Sequence, residues 1–270
     1  MQWEGILMTE ANSRTGSIRP MGLLSSLLYF GIPAAVLYAI VYLLIPALDD
    51  AGLSPFMAYL VALLVPLVLM FVAALIAYRL EGNPPTWEAL KERFRLRRMT
   101  GRMWLWTIGL SLFCLITMGA FGAISRTLIQ RGIISLPTFI PAALDPRAGM
   151  SVEALRAQMD GHLEGNWLVV LVFFVVLFFN IFGEEFWWRG YILPRQELAF
   201  GRWTWLVHGV LWCLFHAFKW WDYLTLLPVT LAIAYVSQRL KNNLPAIIAH
   251  YVTNGIGWLG ILLLVLGAGS

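Results

Sequence analysis

The sequence predicts an all-α, polytopic membrane helix bundle, and three observations carry that prediction. Hydrophobic residues make up 60% of the 270 and charged residues only 13%, about half the charged share of an ordinary soluble domain. Mean hydropathy is +0.73. Apolar runs recur at lengths that cross a hydrocarbon core of about 30 Å as helices. The alternation of a membrane β-barrel is absent, and lipid cannot satisfy bare peptide groups in any other way.

The elements follow in chain order, within one integral-membrane domain of residues 1–270. The first twenty residues are mostly polar and lack the apolar core and small-residue cleavage site of a signal peptide. Gly22–Leu48 is therefore expected as an uncleaved first span behind a tail of residues 1–21, with Met8 an alternative start. Pro55–Tyr78 is the second span. Residues 79–103 form a linker in which Arg79, Lys91, Arg93, Arg95, Arg97, Arg98 and Arg102 crowd together, whereas the Asp49-Asp50 turn has no cation. The positive-inside rule puts this linker, and with it the N-terminus, in the cytoplasm. Trp87, Leu90 and Phe94 recur there at helical spacing behind Thr86, an N-cap candidate, which reads as an interfacial helix on anionic lipid and not as a nucleic-acid site.

Trp104–Ser125 is the third span. The outer loop from Arg126 to Asn166 mixes Pro, Gly and both charge signs, with a short helix expected after Ser151 and a solvated His162. Trp167–Trp188 follows, then two shorter runs, Trp203–Phe218 and Tyr223–Gln238, expected as a tight hairpin, and Leu244–Leu266 closes the chain. The count is seven spans, or eight if the last run breaks at Gly255 or Gly257. Cys114 and Cys213 lie in apolar runs and read as buried thiols, not a disulfide framework.

Residues 167–254 hold the polar groups that an apolar bundle has little reason to carry, and such groups mark functional sites by default. Glu184-Glu185-Phe186-Trp187-Trp188-Arg189 interrupts the fourth long run. Glu185 and Arg189 stand at i,i+4 with the acid first, the favourable order for an intrahelical pair. Glu184 points about 100° away, on the face of Asn180 and Trp188, with no local cation, as a general base requires. Taken alone, the cluster is equally an interfacial charge group. His216 follows, with Trp212 and His208 at successive i−4 positions on one helix face; His208 suits a packing role as well. His250 and Asn254, again i,i+4, can present an imidazole and an amide to one point.

Three helices thus bring polar groups toward one bundle. No HExxH, P-loop or Gly-x-Ser-x-Gly elbow occurs, and no serine or cysteine stands out as a nucleophile. Attack by an activated water fits: Glu184 takes its proton, His216 positions it, and His250 with Asn254 stabilises the oxyanion of a carbonyl-centred, most simply amide, hydrolysis. One tension remains. At about 1.5 Å per residue, His216 lies roughly 20 Å beyond Trp203 but His250 only about 9 Å beyond Leu244, so straight helices would not meet. A short, tilted hairpin or a longer Glu184 helix is required.

Glu-Glu-x-x-x-Arg, then an aromatic-x-x-x-His, then His-x-x-x-Asn, in that order on successive membrane helices, resembles the CPBP family, the CAAX proteases and bacteriocin-processing or self-immunity proteins also called Abi. The resemblance is strong from Glu184 to Asn254 and weak in the basic Leu90–Arg98 linker. It implies an intramembrane endopeptidase of a bacterial or archaeal cell membrane, acting on a membrane-associated protein or peptide, with a prenylated C-terminus among the candidate substrates. It also implies that Glu184, His216, His250 and Asn254 are active-site positions, with Glu185 and Arg189 completing the first motif. The family's second motif usually opens with Phe, and here Trp212 stands in that place. The family has both glutamate-dependent and metal-dependent descriptions. Zinc would need His216, His250 and Glu184 or Glu185, but no local ligand spacing supports it, which favours no cofactor. Two other classes compete: a transporter, which would show inverted repeats that are not found, and a catalytically silent immunity or scaffold protein.

Overall fold

The computed structural model describes residues 18–147 and 152–267. Most of the expected N-terminal tail, including Met8, lies outside the described residues, as does Ser151. Ten helices are described: α1 Leu23–Asp50, α2 Pro55–Leu80, α3 Trp87–Arg93, α4 Gly101–Gln130, α5 Val152–Gln158, α6 Trp167–Glu184, α7 Leu193–Phe200, α8 Thr204–Phe215, α9 Tyr223–Leu240 and α10 Leu244–Val265. A π-helical run, Glu185–Ile192, joins α6 to α7 without a break. The fold among the described residues is all-α.

Five helical stretches are long and apolar enough to cross a membrane: α1, α2, α4, the continuous 49-residue run Trp167–Phe215, and α10. The sequence count of seven spans is not reached on this measure. The expected hairpin forms, but its first arm, α8, has 12 residues, about 18 Å of helix, too short for a core of about 30 Å. The break considered at Gly255 or Gly257 does not occur, because α10 runs on through both. In an apolar span, helix–helix packing tolerates glycine where water would not.

Prolines explain the two π-helical turns. A proline has no N–H and its ring meets the carbonyl four residues back. In α1 the turn at Ile40–Leu44 sits directly before Pro46. The larger run at Glu185–Ile192 sits directly before Pro194. The carbonyl of Gly190, which Pro194 cannot satisfy, accepts from Nη1 of Arg93 at 2.5 Å.

That bond belongs to a clasp on the linker. Thr86 caps α3, accepting from the N–H of Ala89. Beyond the helix, Phe94 is buried against Gly190, where a β-carbon would come within 2.8 Å of the ring. Arg93 pairs with Glu81 at 2.6 Å, and Arg195 pairs with the same carboxylate at 2.7 Å. Burial alone would raise the Glu81 carboxyl, but hydrogen bonds and charge from Arg93 and Arg195 outweigh it and hold it below the usual range. Its contribution to stability is complete above the ordinary carboxylate range and is lost only as pH falls through the lowered value. Arg95 and Lys241 share Glu197. The expectation of a helix resting on lipid is therefore corrected in part: the far end of α3 plugs into protein, while Trp87, Arg97, Arg98 and Arg102 stay exposed. The acids that receive it lie far along the chain and have no local spacing to announce them.

The helix forming the spine of the bundle is α6 with its π-helical extension. Gly183 lets α6 close on α2, since a β-carbon there would stand 2.6 Å from the Leu67 carbonyl oxygen. Trp188 stacks on Phe30 of α1, with ring centroids 4.2 Å apart. The loop after α4 is also docked: α5 is present as expected, and Met159 and Leu163 pack with Phe56 and Leu60 of α2.

Candidate active site

Glu184 is the last residue of α6 and Glu185 the first of the π-helical run. Both are buried, with 3% and 0% of their surface exposed, yet they face different partners. Glu184 accepts from Asn180 Nδ2 at 2.8 Å on Oε1, and from the indoles of Trp188 at 3.3 Å and Trp212 at 2.8 Å on Oε2. Glu184 has no ion-pair partner among the described residues, as its helical face foretold. Three neutral N–H donors hold it instead. Trp212 is the departure from the family pattern, and a phenylalanine ring in its place would have no N–H to give.

Glu185 pairs with Arg189 at 3.2 Å, and the same oxygen lies 2.9 Å from Nδ1 of His250. The carboxylate therefore serves two partners where the sequence offered one. Arg189 is fully enclosed, its guanidinium 3.4 Å from the centroid of the Trp212 ring, so an aromatic plate separates this cation from the neighbouring cavity. Asn243 donates to the Glu185 carbonyl at 3.0 Å, anchoring the start of the π-helical run to the foot of α10.

The two histidines present the same nitrogen. In His216 the ring Nδ1 lies 2.9 Å from the Trp212 carbonyl, which can only accept, so Nδ1 carries a proton. In His250 Nδ1 faces the Glu185 carboxylate. Fixing one ring nitrogen assigns the other to chemistry, and each Nε2 is left for the cavity. Trp212 stands between them, 6.2 Å from the His216 ring and 5.7 Å from that of His250. The depth conflict is settled by the short α8, which ends just before His216, so that the turn and α10 reach one level. Asn254 donates to Asn180 Oδ1 at 2.6 Å, which completes a relay from Asn254 through Asn180 to Glu184.

A cavity of about 280 Å³ collects Glu184, Trp212, His216, His250 and Asn254, along with Asn180, Thr230, Thr253 and Lys219. Its remaining walls are apolar, from Leu63, Leu67, Val176, Val229 and Ile233 among others. Such a chamber suits an extended apolar segment presented to a few fixed polar atoms. His208 takes no part: it is buried behind the wall, 2.6 Å from Gln196 Oε1, and edge-on to Phe30. His162 lies in the outer loop, away from the cavity.

Among the described residues no group of three or more His, Cys, Asp or Glu side chains is arranged to hold a metal. Glu184 accepts from three N–H donors, and Glu185 faces Arg189 and His250. The sequence places Asn180 on the face of Glu184 without giving it a role, and Lys219, three residues past His216, joins the cavity with no motif to announce it.

Residues 166–256 match the family model of the type II CAAX prenyl endopeptidase Rce1-like proteins. The match spans α6 to α10 and contains every residue of the three motifs. No curated protein and no solved structure matches the chain significantly.

Proposed function

We propose that this chain, whose residues 166–256 match the Rce1-like family model, belongs with the CPBP family of CAAX-type proteases and is an intramembrane endopeptidase that hydrolyses a peptide bond of a membrane-associated or lipidated protein with glutamate-activated water. The observation that carries the reading is the convergence of Glu184, His216, His250 and Asn254 on one mostly apolar cavity. Glu184 takes a proton from water, and His216, whose Nε2 accepts, orients that water. The substrate carbonyl becomes a tetrahedral oxyanion. Glu185, 2.9 Å from Nδ1 of His250, fixes the ring, and in its doubly protonated form the ring donates Nε2–H to the oxyanion beside the second amide hydrogen of Asn254. Glu184 then returns its proton to the leaving amine, which balances the reaction.

Asn180, Trp188 and Trp212 aim the Glu184 carboxylate and fix its direction before substrate arrives. The catalytic unit in this reading is residues 167–254. We read the hairpin α8–α9 as two shorter membrane segments, the first of them too short to cross fully.

The test uses the full chain in detergent with a prenylated peptide. Glu184→Gln should lower turnover by about 10³-fold or more, while thermal unfolding stays near that of the parent. Protein stripped with a strong chelator should retain its activity. Chelator-sensitive turnover restored by added zinc, with stoichiometric metal lost in His216→Ala and His250→Ala, would replace this mechanism with a metal-dependent one.

A further inference from the structure

Lys219 carries a charge that the hydrolytic scheme does not use. It lines the same cavity as Glu184, His216 and His250, yet stands in the turn that reverses the chain between α8 and α9, Ala217–Asp222. An amine in a mostly apolar chamber within a membrane bundle has to answer some negative charge. Its ion-pair partner among the described residues is Asp222, at 3.4 Å, in a pair whose side chains are 25% and 36% exposed, and the Glu184 carboxylate of the same cavity acts on it from a distance, without an ion pair. A partly exposed pair at that distance is weak, and an ammonium has three donors.

The turn is held in place on several sides. Tyr42 of α1 donates to the Phe218 carbonyl at 3.0 Å, and Ser125 of α4 donates to the Trp221 carbonyl at 2.9 Å. The N–H of Lys219 donates to the His216 carbonyl at 2.9 Å. Phe218 and Trp221 are buried around it. The backbone that carries the cation is therefore the one that positions the candidate catalytic histidine, which keeps the reach of the lysine within the cavity.

We propose that Lys219 is a specificity-determining residue that receives a carboxylate of the substrate, a few residues from the bond presented to Glu184. This rests on the endopeptidase reading for the identity of the ligand as a peptide. Two sources offer the same chemistry, the terminal carboxylate of the chain and an acidic side chain close to its end. The apolar walls accept the residues between.

Equilibrium binding separates this inference from the catalytic one. The probes are a short S-farnesyl-cysteine peptide with two aliphatic residues, made as the free acid, as the carboxamide, and as a carboxamide ending in Asp. Each is titrated against full-length Glu184→Gln protein, alone and with Lys219→Met or Lys219→Arg. The free acid, the Asp peptide or both should bind about tenfold or more tightly than the plain carboxamide. That preference should collapse toward one in Lys219→Met and return in Lys219→Arg, and the arm that carries it identifies the source of the carboxylate. Equal affinity for all three peptides, a preference that survives Lys219→Met, or binding of none would overturn the proposal. A Lys219-dependent preference without turnover by the parent protein would overturn the protease reading and leave the anion subsite standing. Thermal unfolding of Lys219→Met separates a collapsed turn from a lost charge, because collapse would weaken all three peptides equally.

Discussion

Two neighbouring carboxylates divide the site. Glu184 faces the cavity with three N–H donors, while Glu185 joins a fully enclosed arginine to a histidine of another helix. Glu185→Gln is expected to cost about 3–5 kcal/mol of stability, because Arg189 is left as an uncompensated buried charge. It should also lower kcat by about 10–100-fold, as loss of the group that orients a catalytic imidazole does. Unfolding in mild detergent together with initial rates checks both, and a variant as stable as the parent would contradict the pairing. Sequence spacing gave the Glu185–Arg189 pair because i,i+4 geometry is local. It gave neither the Glu185–His250 bond nor the Trp212–Glu184 bond, which join residues 65 and 28 positions apart. Those depend on how helices tilt and where they stop, and no periodicity within one helix encodes that.

Among the elements, the closest approach is made by a residue with no side chain. Gly183 lets the helix carrying Glu184 rest on the Leu67 carbonyl, a backbone atom that cannot swing aside. Gly183→Ala is expected to destabilise the protein by about 1–3 kcal/mol and to depress activity by displacing its neighbour. Gly119→Ala, with nothing within 4 Å of its would-be β-carbon, is the control and should change neither. Unfolding temperature and turnover of both variants decide it. The long spans were legible because their apolar runs are long and uniform. The extent of the hairpin was legible too, and its shallow reach only as one of two ways to bring His216 level with His250, since composition marks where a helix is apolar and not how far it crosses. The docking of the linker was hidden for a related reason: a run of arginines looks the same whether it meets lipid phosphate or the carboxylates of Glu81 and Glu197.

For the molecule as a whole, the charge asymmetry sets an orientation. The linker around α3 is expected on the cytosolic face and the loop after α4 on the other. Single cysteines at Glu88 and Gln130, both exposed, test this against a membrane-impermeant maleimide in sealed vesicles and intact cells. Cys114 and Cys213 are buried thiols and give the background. Labelling of both positions from one side would refute the orientation.

The π-helical run has a consequence of another kind. A wider turn amounts to one surplus residue carried inside a helix, and the surplus begins between the two glutamates, with Glu184 closing the regular coil and Glu185 opening the wide one. Direction, and not distance, is what separates two adjacent carboxylates. Deleting a single residue between 186 and 192 would remove that surplus and narrow the run to an ordinary helix, changing the directions in which Glu185, Trp188 and Arg189 point relative to Glu184. Substitutions leave that phase intact, whereas insertions and deletions reset it. Variation in the length of this stretch is thus far more damaging than variation in its lettering, and the reading frame of the helix is itself part of the site.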